Sequence, residues 1–358
     1  MQTLSNRKDI IQFRYIRVIA CLCIVLLHTL HAAGDFFAGS MSLTDMLVSR
    51  SAQNLLLWCV PCFLMVTGAL LLDPEKEIPV KTIFSKYVLR MVLALVIFTF
   101  IFRIADALAD PDVVLTFGDL VKQWIAGMLT GDTWLPMWYL YLMIGLYAMM
   151  PVYKIVFRHA SDEVLRYLVL VVIFFVSIVP AAGVFGLDLA FYIPTSLIYP
   201  AYLFLGRMIY TGQIRVSRHM AVILAVGCSV ILVMLTYYRY MYGDVALSED
   251  RLAVFNRVLL GYPSVFAVGQ TVGIFSLLCG IPSKREKAEG LLLAMDQCSF
   301  GIYLIHMIFV MIVMKVLMVD PYAYGGALLF IAMTGAFFAL SFAVTFVLRK
   351  IPGVSRVL

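Results

Sequence analysis

Charge is what this sequence has least of. Asp, Glu, Lys and Arg make up 13% of its 358 residues, against about 25% in an ordinary soluble domain. So few charges cannot coat a water-facing surface of this size, which excludes a soluble globule. Disorder is excluded as well, because 63% of the residues are apolar and a disordered chain needs the opposite balance. There is no low-complexity linker and no internal repeat to divide the chain into modules. Seven cysteines fall in or beside apolar runs, where a thiol behaves as a small apolar side chain rather than half of a disulfide. Cys59-Val60-Pro61-Cys62 has redox-motif spacing but lacks the βαβ setting such a motif needs. No histidine partners those thiols in sequence, so a metal site is not expected. The net charge of +6 lies in short loops rather than on one aqueous face, and nucleic-acid binding is not expected either.

What is present is apolar length. Mean hydropathy is +0.98, and runs near the roughly 20 residues that cross a bilayer recur throughout. Ten are read, at about 12–33, 52–72, 87–109, 135–155, 165–185, 193–210, 219–240, 258–280, 297–318 and 326–348. Pro180, Gly183, Gly186, Pro194 and Pro200 blur the fifth and sixth, and Pro263 opens the eighth. The expectation is an all-α, polytopic integral membrane protein, one domain over 1–358. With both termini in the cytoplasm and strict alternation, 20 of the 27 Lys and Arg residues fall inside, as the positive-inside bias requires. Among them are Arg7, Lys8, Arg17, Lys76, Lys86, Arg90, Lys284, Arg285, Lys287 and Arg349. Acidic residues gather oppositely, around Asp106–Asp132 and at Asp244, Glu249 and Asp250. Basic residues ahead of the first run resemble a signal peptide, but nine further spans favour an uncleaved first helix.

The first run carries the most chemistry. Arg17 and His28 are eleven residues apart, three helical turns plus roughly 20°, so they share one face about 16 Å apart along the axis. His31 follows one turn later on that side. An ionisable group at such depth needs a cavity or a partner. His28 serves either as a helix–helix hydrogen bond or as a general base, and Arg17 either snorkels to the membrane surface or binds a ligand. In the second run, Pro61 and Thr67-Gly68 suit a kinked, cleft-lining helix or simply close helix packing. Lys86 and Arg90, at i and i+4, form a phosphate clamp or an ordinary basic flank. Trp134 and Trp138, with Tyr139, read as an interfacial belt or as aromatic faces for sugar rings. Tyr303 and His306 stand one turn apart in the ninth run, as pocket residues or as structural partners.

Together these segments resemble the acyltransferase 3 superfamily of bacterial membrane acyltransferases, most of all the small polysaccharide O-acetyltransferases of the enterobacterial common antigen type. The likeness rests on Arg17-x10-His28, on Val60-Pro61-Cys62-Phe63 through Thr67-Gly68, on Trp138-Tyr139-Leu140 through Leu146-Tyr147 and Pro151, and on Ser299 through His306. Tyr202 through Gly206 is a weaker fifth segment. Many relatives carry Ser-Gly-Tyr where this chain has Thr67-Gly68-Ala69, so that tyrosine's role does not transfer. The soluble hydrolase-like domain of larger relatives is not expected here.

The resemblance implies transfer of an acetyl or other short acyl group from cytoplasmic acyl-CoA to a sugar hydroxyl on a lipid-linked or exported glycan, in the bacterial inner membrane. His28 matches the family's essential histidine, as general base or transient acyl carrier, and Arg17 its paired cation. Arg17, Lys86 and Arg90 are then the donor contacts, and His31, Trp138, Tyr139, Tyr303 and His306 shape the pocket. Acetyl-CoA is the expected donor, with no metal. Acyl-CoA, the glycan and membrane lipid are the partners, and a homo-oligomer is left open. A transporter or flippase of the acyl group or glycan is the alternative, weakened by the scarcity of intramembrane carboxylates and of inverted repeats. A purely structural or sensory role is a third reading, in which Arg17 and His28 are dispensable.

Overall fold

A segment can lie in hydrocarbon only if its backbone N–H and C=O groups are bonded within it, and this chain satisfies that condition with helices. The computed structural model describes residues 11–109, 116–191, 193–281 and 289–358; Arg7, Lys8, Lys284, Arg285 and Lys287 lie outside them. Among the described residues no strand occurs. The main helices are α1 (Ile11–Phe36), α2 (Leu43–Leu71), α3 (Val80–Ala109), α4 (Phe117–Thr130), α5 (Leu135–His159), α6 (Asp162–Phe185), α7 (Ile198–Thr211), α8 (Arg218–Ala246), α9 (Val265–Cys279), α10 (Gly290–Val316) and α11 (Gly326–Leu348).

Eight of these, all but α4, α7 and α9, are long and apolar enough to cross a membrane. The protein is an all-α polytopic membrane protein. The sixth and eighth apolar runs form only 14 and 15 residues of helix, about 21–22 Å against a hydrocarbon core of roughly 30 Å. Proline is the cause in both cases. Pro194 precedes a 3-10 turn that leads into α7, and Gly261-Tyr262-Pro263 interrupts the helix until Ser264 caps α9 on Phe266 N. Non-helical backbone is tolerated at depth where protein covers it. Ser264 is fully buried, and the carbonyl of Tyr262 accepts a hydrogen bond from the Tyr202 hydroxyl at 2.9 Å.

Side-chain contacts sort the helix ends into two groups. At the cation-rich end, Lys154 of α5 donates to the carbonyls of Leu71, the last residue of α2, and of Asp73 and Lys76 beyond it. Arg207 of α7 pairs with Asp73 at 2.9 Å, and Gln12 of α1 bonds the Ile281 carbonyl after α9. At the opposite end Ser40 meets Asp320, Tyr322 meets Ser49, and Lys315 pairs with Asp106.

Two features fix the helices near the centre. α2 breaks at residues 56–58 because Pro61 has no N–H for the Leu57 carbonyl and its ring crowds that group. The buried Gln270 of α9 takes up the neighbouring Leu55 carbonyl at 3.3 Å. Below the break α2 packs on α7 through a reciprocal pair of glycines: Gly68 lies against the backbone of Leu203, and Gly206 against the backbone of Met65. No side chain fits at either contact, which is the close approach that small residues permit in membranes.

Candidate functional site

α1 and α10 run parallel and in register. Arg17 meets Asp296, the Cys21 thiol meets the Ser299 carbonyl, and His28 meets His306. Arg17, Ile24 and His28, on one stripe of α1, line a cavity of about 500 Å³, within the size range of small-molecule pockets. α2 adds Val60, Phe63, Val66 and Thr67; α3 adds Tyr87, Arg90 and Met91; α5 adds Trp138, Tyr139, Met143 and Tyr147. α10 closes the wall with Asp296, Gln297, Ser299, Phe300 and Tyr303, joined by Lys76, Tyr262 and Arg349.

At the cation-rich mouth, Asp296 holds Arg17 in a bidentate pair, Oδ1 at 2.5 Å from Nε and Oδ2 at 2.7 Å from Nη2. The remaining charge there comes from Lys76, Arg90 and Arg349. Arg90 lies over the Phe300 ring at 4.8 Å and donates to the carbonyls of Val357 and Leu358. Arg349 donates to the carbonyls of Gln297 and Leu358. The segment after α11 therefore packs against the mouth through its backbone.

At the deep end His28 and His306 lie with nearly parallel rings, and His28 Nδ1 is 2.8 Å from His306 Nε2. His306 Nδ1 is 3.0 Å from the Ile302 carbonyl. A carbonyl only accepts, so His306 carries its proton on Nδ1 and presents a lone pair at Nε2. His28 must then donate from Nδ1, which leaves the lone pair of its ring on Nε2. A buried chain of bonds thus fixes the tautomer of the one imidazole that lines the cavity. Tyr303 stands 6.4 Å from the His28 ring, centroid to centroid, and donates to the Pro136 carbonyl. Tyr139 packs on Tyr303, and Trp138 on Tyr262 and Tyr199.

Of the residues singled out in the sequence, Arg17, His28, Arg90, Trp138, Tyr139 and Tyr303 meet at this cavity. His306 lies behind His28, fully buried, and supports it rather than lining the wall. Two others are placed elsewhere. Lys86 is exposed, on the opening turns of α3, which are π-helical over Ile83–Val88. Tyr87, Arg90 and Met91 line the cavity, while Lys86 leans over the Tyr87 ring at 5.9 Å. His31 is outside the wall and sits 3.4 Å from Asp35, one turn along the same helix.

Asp296, Lys76, Arg349, Tyr87 and Tyr262 line the cavity without having been offered as site residues, and Tyr147, named only within a family motif, lines it too. A lone carboxylate at the edge of the ninth apolar run was the available signal for Asp296.

These helices and this cavity define a multi-pass membrane protein with an internal cavity of small-molecule size, basic at its mouth and imidazole-bearing at its depth. A family profile described as an acyltransferase domain, that of the acyltransferase 3 family, matches residues 10–349. The chain belongs to that family and is a membrane acyltransferase. No curated protein and no solved structure shows significant similarity to it.

Proposed function

We propose that the protein moves an acetyl or other short acyl group from acyl-CoA to a sugar hydroxyl of a lipid-linked or exported glycan, with His28 as general base, in the bacterial cytoplasmic membrane. The observation that carries this reading is the place of His28 at the deep end of a cavity with a cationic mouth, 2.8 Å from a His306 that itself bonds the Ile302 carbonyl, an arrangement that favours a neutral His28 with its lone pair on Nε2. Acyl-CoA is an anion with a long neutral arm. Lys76, Arg90 and Arg349 suit its phosphates, and Arg17, tied to Asp296, orients rather than supplies net charge. α1 is unbroken between Arg17 and His28, so the arm spans about 16 Å from mouth to base.

In the transfer step His28 Nε2 takes the proton of the sugar hydroxyl as its oxygen attacks the thioester carbonyl. The carbon–sulfur bond then breaks, and the CoA thiolate recovers that proton from His28. A positioned base contributes about 10²–10⁴-fold to such a step. Purified protein supplied with radiolabelled acetyl-CoA and a crude lipid-linked acceptor tests the reading. Label moving to the acceptor is expected; label crossing the membrane unchanged, with none on the acceptor, would make the protein a transporter instead.

A further inference from the structure

A second pocket, of about 370 Å³, lies at the opposite end of the molecule from the cationic mouth, between α3, α4 and the turn that precedes α5. Trp124 and Trp134 line it with Arg103, Asp106, Gln123 and Asp132. The tryptophans are held rigidly. Trp134 stacks on Phe102 at 4.1 Å and donates to Asp106 at 2.8 Å, and Trp124 donates to Thr99 at 3.0 Å. Arg103 is joined to Gln123 through Nη2, while its Nε is buried with no hydrogen-bond partner.

The lining selects a chemical class. Asp106 and Asp132 disfavour an anion. Arg103 disfavours a cation, and the Asp106 carboxylate is already engaged by Lys315 at 3.2 Å and by Trp134. A lipid tail gains nothing from a ring of carboxylates, amide and guanidinium. A neutral polyhydroxyl ligand fits all of it, since sugar hydroxyls both donate and accept while the ring's C–H face packs on an indole.

Position adds to this. α4 turns Phe117, Ile125 and Leu129 outward as an exposed apolar stripe, the pattern of a helix lying at the membrane surface, while Trp124 and Gly127 face the pocket. One 3-10 turn, Leu135–Met137, separates Trp134 in this pocket from Trp138 in the inner cavity. The Pro136 carbonyl in that turn receives the Tyr303 hydroxyl beside His28.

We propose that this outer pocket docks the glycan chain of the acceptor, delivering one hydroxyl past the 134–138 turn to His28. The proposal rests on the reading of the protein as a glycan acyltransferase. The test uses full-length protein in nanodiscs and the lipid-linked oligosaccharide fraction extracted from its own membranes. Hydrogen–deuterium exchange is followed with that fraction and with the same fraction stripped of sugar by mild acid. Slowed exchange over residues 117–134 with the intact fraction alone is expected; no slowing there, or equal slowing with stripped lipid, overturns the proposal. In the transfer assay, Trp124→Ala and Asp132→Asn should each raise the KM for the glycolipid at least tenfold while the KM for acetyl-CoA stays put. An unchanged glycolipid KM overturns it too. Slowed exchange with no acyl transfer by the wild type would uphold the pocket while refuting the transfer reading, so the two failures are distinguishable.

Discussion

Asp296 grips the Arg17 guanidinium along one edge, through Nε and Nη2, at 2.5 and 2.7 Å. The carboxylate is nearly buried and the guanidinium only partly so, with side-chain exposures of 8% and 26%. Removing one partner leaves the other charge short of compensation. Asp296→Ala and Arg17→Ala should each cost about 2–3 kcal/mol, below the fully buried case because Arg17 keeps some solvent. The double variant Arg17→Met/Asp296→Leu should recover most of the melting temperature without recovering acyl-CoA affinity. Thermal unfolding in detergent, set beside acyl-CoA titration, separates the structural from the binding part.

His306 reaches the cavity only through His28, so it is a positioning residue. His28→Ala should lower kcat by about 10²–10⁴-fold. His306→Ala should lower it by at least about 10–100-fold, the cost that loss of an outer partner has for a metal-bound histidine, with little change in KM. His306→Gln can still accept the Nδ1–H of His28 and should restore part of the loss. A fall of equal size in His306→Ala and His306→Gln would argue against the fixed tautomer.

The mouth and the exposed flank of α3 should behave differently. Lys76→Ala and Arg349→Ala should raise the KM for acetyl-CoA several-fold, whereas Lys86→Ala should leave it within twofold. The same KM should climb as salt is raised from low to physiological ionic strength, since exposed charge contacts are screened over about 8–10 Å. Steady-state kinetics across a salt series reads both effects.

Gly68→Ala and Gly206→Ala offer a test of sign. Alanine is the better helix former by up to about 1 kcal/mol, so propensity alone predicts stabilisation. Each added methyl would instead meet the backbone of the facing helix, and overpacking of at least about 1–3 kcal/mol should win. A lower melting temperature and a poorer yield of folded protein are expected from either variant.

Local patterns carried the sequence reading, and pairings remote in the chain escaped it. Arg17 and His28 lie on one unbroken helix, so periodicity alone puts them on one face. The separation of 279 positions between Arg17 and Asp296 leaves no periodic trace, and neither do the approaches of Lys76, Tyr262 and Arg349. Spacing put Lys86 beside Arg90 without saying which of the two reaches the cavity; Arg90 lines it and Lys86 is exposed. Pro194 and Pro200 in the sixth run and Pro263 in the eighth announced irregularity, although not that each run would shorten to about 21–22 Å of helix. His31 was placed in the pocket from its spacing to His28, whereas it lies outside the wall, 3.4 Å from Asp35 one turn along the helix.

The register between α1 and α10 has a mechanical consequence. Contacts at Arg17, Cys21 and His28 meet residues offset by 279, 278 and 278, so the two helices keep step for three turns. Sliding one along the other would tear the ion pair and the imidazole pair in the same stroke. They form a stiff rail joining both ends of the chamber, so any widening of it has to come from its other walls.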